Sequence, residues 1–113
     1  MWVVEVASAF SAGEFFGIDT VDLRGEVLLA LTGELDTAAA PILHEHLFDI
    51  ASRAKVIFID ARDLSFIDST GLSVLVKAQK WLKEMGGSLV VRNANAQVRR
   101  LFDVTGLSSR LLA

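Results

Sequence analysis

The sequence predicts an α/β domain: a mixed, mostly parallel β-sheet of four to five strands packed with helices. Two observations carry that reading. Short β-branched runs alternate along the chain with longer stretches whose apolar residues recur at helical spacing, the pattern of strands joined by crossover helices. Near the start, two extended runs meet at Arg24-Gly25 with too little chain between them for a helix, which marks an antiparallel hairpin. At 113 residues, with 52% apolar and 22% charged side chains, the chain is expected to fold as one domain, residues 1–113, around a core that needs no staples.

Residues 1–14 are the least regular part. Trp2, Val3, Val4 and Val6 suit an added edge strand, whereas Ala7-Ser8-Ala9 and Ser11-Ala12-Gly13 read as loop. An edge strand and a flexible extension therefore stand as alternatives. Phe15 to Leu23 and Val27 to Leu31 form the hairpin strands. A helix follows Gly33-Glu34-Leu35-Asp36-Thr37 and reaches about Ser52, with Asp36 or Thr37 as its N-cap and Ala39, Leu43, Leu47 and Ile50 near one face. Pro41 fits only a first helical turn, so either that turn is irregular or the regular helix begins near Pro41. Lys55 to Asp60 reads as a central strand covered on both faces, and Ala61 to Ile67 as a loop.

The next helix places Gly71, Val74, Leu75, Ala78, Leu82 and Met85 on one side and stops at Gly86-Gly87. Ser88 to Arg92 is a further strand. Asn93 or Asn95 caps a last helix with Val98, Leu101, Phe102 and Thr105 on its core face, and Leu107 to Ala113 is a tail, strand or turn.

Composition narrows the function. Without cysteine there is no disulfide framework, thiolate metal site or cysteine nucleophile. A net charge of −3 supplies no footprint for direct nucleic-acid binding. No apolar run has the length for membrane insertion, and Met1 to Glu5 lacks the basic residues of a signal peptide. A cytoplasmic protein is expected. No nucleophile–base pair, metal cluster or phosphate-cradling glycine loop is legible, so neither an enzyme nor a cofactor is expected. His44-Glu45-His46 lacks metal-ligand spacing and reads as surface. Lys77, Lys80 and Lys83 read as a solvated helix face, and Trp2 and Trp81 as packing residues.

Phe66-Ile67-Asp68-Ser69-Thr70-Gly71-Leu72 is the stretch with chemistry in it. An apolar pair gives way to a carboxylate, two hydroxyls and a glycine at a helix start, with Asp68 or Ser69 as N-cap. A serine there lies beside unpaired backbone N–H groups and the positive end of the helix dipole, a favourable place for a phosphate. Taken alone, such a serine is more often only a cap.

Gly33-Glu34-Leu35-Asp36 after a strand, Asp68-Ser69-Thr70-Gly71-Leu72 at a helix start, and Val98-Arg99-Arg100-Leu101-Phe102 to Thr105-Gly106-Leu107 together resemble the STAS domain over residues 15–107. This module is shared by bacterial anti-sigma factor antagonists and the cytosolic tails of sulfate-type anion transporters. The resemblance implies partner switching. An unphosphorylated antagonist binds an anti-sigma factor that is also a serine kinase, phosphorylation of the serine after the motif's aspartate ends the binding, and a serine phosphatase restores it. Carried over by position, the phosphoacceptor is Ser69, with Thr70 the minor candidate. Asp36 and Asp68 then belong to the partner-binding rim with Ser69, Thr70 and Gly71, and Leu72, Ser73 and Val76 are candidate docking residues.

Two other readings compete. A STAS subunit or tail of a membrane transporter would act as a scaffold. A phospho-aspartate receiver domain would use Asp60, with Glu34 and Asp36 as magnesium ligands, but no lysine ends the Ser88–Arg92 strand to pair with its phosphoryl group.

Overall fold

The computed structural model describes residues 3–11 and 14–112, with side chains from residue 16 onward except Ser109. Five strands form one sheet in sequence order: β1 (Val3–Ser11), β2 (Glu14–Leu23), β3 (Glu26–Leu35), β4 (Val56–Ile67) and β5 (Ser88–Arg92). The pairs β1–β2 and β2–β3 are antiparallel, while β3–β4 and β4–β5 are parallel. Of the two readings of the N-terminus, the edge strand is realised. It runs straight through Ala7-Ser8-Ala9, which the sequence suggested was loop. Trp2, Ala12 and Gly13 lie outside the described residues.

Arg24 and Gly25 close the β2–β3 hairpin with φ of 50° and 95°. Positive φ at both central residues matches the twist of the flanking strands.

Parallel neighbours require crossovers. Helix α1 (Ala40–Ala51) joins β3 to β4, and α2 (Ser69–Glu84) joins β4 to β5. Helix α3 (Ala96–Val104) and the short α4 (Ser108–Leu111) complete the fold. The tail contributes α4 and an isolated parallel bridge from Leu112 to Val91. Asn95, not Asn93, caps α3 by accepting from Val98 N–H at 3.0 Å.

The core lies on one face of the sheet. In-register Val27, Ile57 and Leu89, then Leu29, Ile59 and Val91, are buried in one cluster with Leu43, Leu47, Leu75, Leu82 and Phe102 of the helices. The alternating Leu28, Phe58 and Val90 are half-buried and outside that cluster. The central strand is thus covered by helices on one face only, where the apolar run suggested both. On the other face, the Arg92 guanidinium stands 4.1 Å from the Phe58 ring centroid, a cation–π contact.

Strand β4 is longer than its sequence suggested. Residues 61–67, read as a loop, continue the pairing with β3. The β3–β4 register shifts between Ala30 and Thr32 and again between Gly33 and Glu34, and each shift adds one residue to β4. Buried positions consequently step from alternation to every third residue, Ala61, Leu64 and Ile67. Bulges of this kind erase the period of two by which a strand is read. Gly33 supplies the required backbone freedom with φ 90°.

Candidate functional site

Because β3 and β4 are parallel and pair through Leu35 and Ile67, the turns that follow them lie side by side at one end of the sheet. Asp36 leaves β3 and Asp68 leaves β4. Asp68 N–H donates to Leu35 O at 3.3 Å, which ties the second turn to the first strand.

The two aspartates hold their turns differently. Asp36 Oδ1 accepts from Ala38 N–H at 3.1 Å and Ala39 N–H at 2.9 Å, and Asp36 O accepts from Ala40 N–H at 2.8 Å. It therefore caps a turn over residues 37–39, not the helix, which begins only at Ala40 with Pro41 in its first turn. This resolves the proline problem, since a ring without an N–H sits where none is needed.

Asp68 is the N-cap of α2. Its backbone is extended (φ −107°, ψ −176°), and Oδ1 accepts from Gly71 N–H at 3.0 Å. The same oxygen accepts from the Thr70 hydroxyl at 2.5 Å, and Oδ2 from the Thr37 hydroxyl at 3.3 Å. Thr37 Oγ1 also lies 3.4 Å from Thr70 Oγ1. Burial alone would raise the Asp68 pKa, but the hydrogen bonds from Thr70, Gly71 and Thr37 outweigh it and hold the carboxyl below the usual aspartate value. The group is ionised at neutral pH.

Ser69 is the first residue of α2, exposed, and its hydroxyl has no hydrogen-bond partner among the described residues. Asp68 alone performs the capping that the sequence left open between the two. Gly71 explains why both motifs stay together. A Cβ there would lie 2.6 Å from Leu35 Cγ and 2.6 Å from Leu35 O, closer than real contacts permit. Only glycine lets the start of α2 approach the end of β3.

The rim keeps Asp36, Asp68, Ser69, Thr70 and Ser73 at least partly accessible. Gly71 and Leu72 require a correction as docking residues. Both are buried, Leu72 to 5% exposure, and they pack beneath the rim because the α2 approach to β3 is so close. Val76 is half-buried against the core. Two contributors were missed. Thr37, legible only as a possible cap, reaches across to the other motif. Phe66 is 44% exposed at the end of β4, an apolar side chain on the surface three residues before Ser69; its exposure follows from the second bulge, which no local pattern announces.

Other candidates are placed elsewhere. Asp60 Oδ1 accepts from Arg62 N–H at 3.0 Å and Asn93 Nδ2 at 3.1 Å, where the first bulge begins, so it is engaged in shaping the strand. Among the described residues, no group of three or more acidic, histidine or cysteine side chains could hold a metal. His46 corrects the surface reading of its tripeptide: it is half-buried, with Nε2 2.8 Å from the buried Thr20 hydroxyl. His44 stacks on Phe48, whose ring meets Trp81, with centroid separations of 4.4 Å and 4.9 Å. No helix among the described residues is long and apolar enough to cross a membrane.

Fold and motif geometry agree with the comparisons to known proteins. The STAS domain family model matches residues 17–111, and the chain belongs to that family. It is similar to the anti-sigma-B factor antagonist of Bacillus subtilis, 38% identical over 90 residues, covering 80% of this chain and 83% of the relative. The anti-sigma F factor antagonist of Paenibacillus polymyxa is 31% identical over 86 residues, covering 74% of each chain. Among solved structures, the unphosphorylated anti-sigma factor antagonist SpoIIAA matches with a TM-score of 0.74 at 22% identity, covering 100% of this chain and 88% of the other. At that identity the likeness concerns the fold.

Proposed function

We propose that this protein is an anti-sigma factor antagonist that works by partner switching in the cytoplasm. Unphosphorylated, it binds an anti-sigma factor that is also a serine kinase. Phosphorylation of Ser69 ends the complex, and a serine phosphatase restores it. The observation that carries the reading is the state of the Ser69 hydroxyl: exposed, unpartnered among the described residues, and at the positive end of α2. The names of the similar proteins support the same role.

The physical switch needs no change of fold. Phosphorylation adds about −1.5 to −2 charges at neutral pH. The α2 dipole and its first N–H groups offset part of that charge, so the domain tolerates it. A partner seated on the rim meets the new dianion beside Asp36 and Asp68, at a cost in desolvation and repulsion. A loss of roughly 3 kcal/mol is more than a hundredfold in affinity.

With the purified anti-sigma factor kinase and ATP, intact-mass spectrometry is expected to find one added phosphate on the wild-type chain and none on Ser69→Ala. Ser69→Asp is expected to lose the anti-sigma partner that wild type retains in pull-down. Equal phosphate incorporation by Ser69→Ala would falsify the assignment of the acceptor.

A further inference from the structure

Two adjacent hydroxyls stand at the rim, and their surroundings differ. The hydroxyl of the exposed Ser69 makes no hydrogen bond among the described residues. Thr70 is also exposed, but it donates to Asp68 Oδ1 at 2.5 Å, and its oxygen lies 3.4 Å from Thr37 Oγ1. The Thr37 hydroxyl in turn donates to Asp68 Oδ2 at 3.3 Å. Residues from two separate motifs thus form a clasp around one ionised carboxylate.

A hydroxyl held by a carboxylate is in a charge-assisted bond, roughly twice as strong as a neutral one. Accepting a phosphoryl group requires the oxygen to face the donor and its proton to be directed at the kinase's own base. For Thr70 this means rotating out of the clasp. Ser69 faces no such rotation, because its hydroxyl is not committed among the described residues.

We propose that Asp68, steadied by Thr37, selects Ser69 over Thr70 as phosphoacceptor by keeping the Thr70 hydroxyl engaged. The inference rests on the reading of this rim as a serine-phosphorylated switch. In the transfer, the Ser69 Oγ–phosphorus bond forms as the bond from the γ-phosphorus of ATP to its bridging oxygen breaks. ADP leaves with that electron pair, and the serine proton passes to the kinase's base. Asp68 and Thr37 are positioning residues here: they touch the competing hydroxyl and not the transferred group.

The test compares full-length variants treated with the anti-sigma factor kinase and ATP, with phosphate located by tandem mass spectrometry. Wild type is expected to carry phosphate at Ser69 only, and Ser69→Ala none. Adding Asp68→Ala to Ser69→Ala is expected to bring Thr70 labelling to about ten times the detection background or more, in keeping with the loss of a hydrogen bond to a charged group. Asp68→Asn keeps a capping oxygen and a folded helix start, and is expected to give a smaller rise. Thr37→Val in the same background also raises it, and Thr37→Ser, which restores the hydroxyl, does not. In parallel, NMR couplings are expected to show one Thr70 χ1 rotamer in wild type at neutral pH and averaging in Asp68→Ala.

Thr70 labelling in Ser69→Ala with the clasp intact would overturn selection and leave the Ser69 switch standing. So would an averaged Thr70 rotamer in wild type. If every Asp68 and Thr37 variant is refused by the kinase, the clasp serves kinase recognition and the inference is likewise wrong. Absence of phosphate from wild type removes the switch reading itself, and the inference with it.

Discussion

The N-terminal end of helix α2 is closed by side chains drawn from two loops, and its C-terminal end by backbone alone. At the C-terminal end, Gly87 N–H donates to Leu82 O at 2.7 Å and Gly86 N–H to Lys83 O at 3.1 Å, with Gly86 at φ 82°. This is the Schellman arrangement, and nothing in it titrates or accepts a modification. At the N-terminal end, an ionised Asp68 holds Gly71, Thr70 and Thr37. Both ends share one steric device. Gly71 is pressed against Leu35 O, and Gly87 would place a Cβ 2.4 Å from Lys55 O. Both ends thus need a glycine for their close approach, and the closing chemistry differs. A backbone cap anchors the helix under all conditions, whereas a carboxylate cap responds to charge. The serine stands at the responsive end.

The largest expected effect lies at the unresponsive end. Gly87→Ala forces a Cβ against a backbone carbonyl that has no side-chain freedom to move, and a loss of about 2–3 kcal/mol in urea unfolding is expected. Phosphorylation of Ser69 should be unchanged in the fraction that remains folded. A variant as stable as wild type would break the comparison, because it would show that the approach at Gly87 is not a tight one.

Asp68→Ala comes next, at about 1 kcal/mol for the lost cap at neutral pH. This contribution depends on pH. A carboxyl whose folded pKa is depressed binds fewer protons in the native state than in the unfolded one, so stability rises with pH through that interval. The Asp68 term is fully present above about pH 4 and is lost as pH falls through the lowered folded value. Thermal melts of wild type and Asp68→Ala should therefore converge in acid and separate towards neutrality. A gap that persists undiminished in acid would mean that the cap does not depend on ionisation.

The smallest effect belongs to Ser69→Ala. A hydroxyl that makes no hydrogen bond leaves nothing to lose, and the change in stability is expected within about 0.5 kcal/mol. A larger loss in chemical denaturation would show that Ser69 helps close the helix after all.

Much of this was legible locally. Ser69, Gly71 and the Gly86-Gly87 stop follow from helix-end chemistry, which acts over a few residues. The second half of β4 was not legible. Val56 to Ile59 form an unbroken apolar run that reads as a strand, but the two extra residues after Asp60 move the buried set to Ala61, Leu64 and Ile67, a spacing that resembles a loop. Leu72 was misread for a related reason. A helical wheel places it beside the core face, and only the close approach permitted by Gly71 brings it to 5% exposure.

By itself, the sequence determined the alternation of elements, the hairpin at Arg24-Gly25, the helix start at Asp68-Ser69 and the likeness to the STAS family. Each of these depends on periodicity, turn propensity or a short motif. Tertiary structure alone decided that Leu35 and Ile67 pair and that Thr37 reaches Asp68 and Thr70. Those contacts join residues about thirty positions apart, and they exist only because a bulged parallel pairing brings two turns to the same end of the sheet.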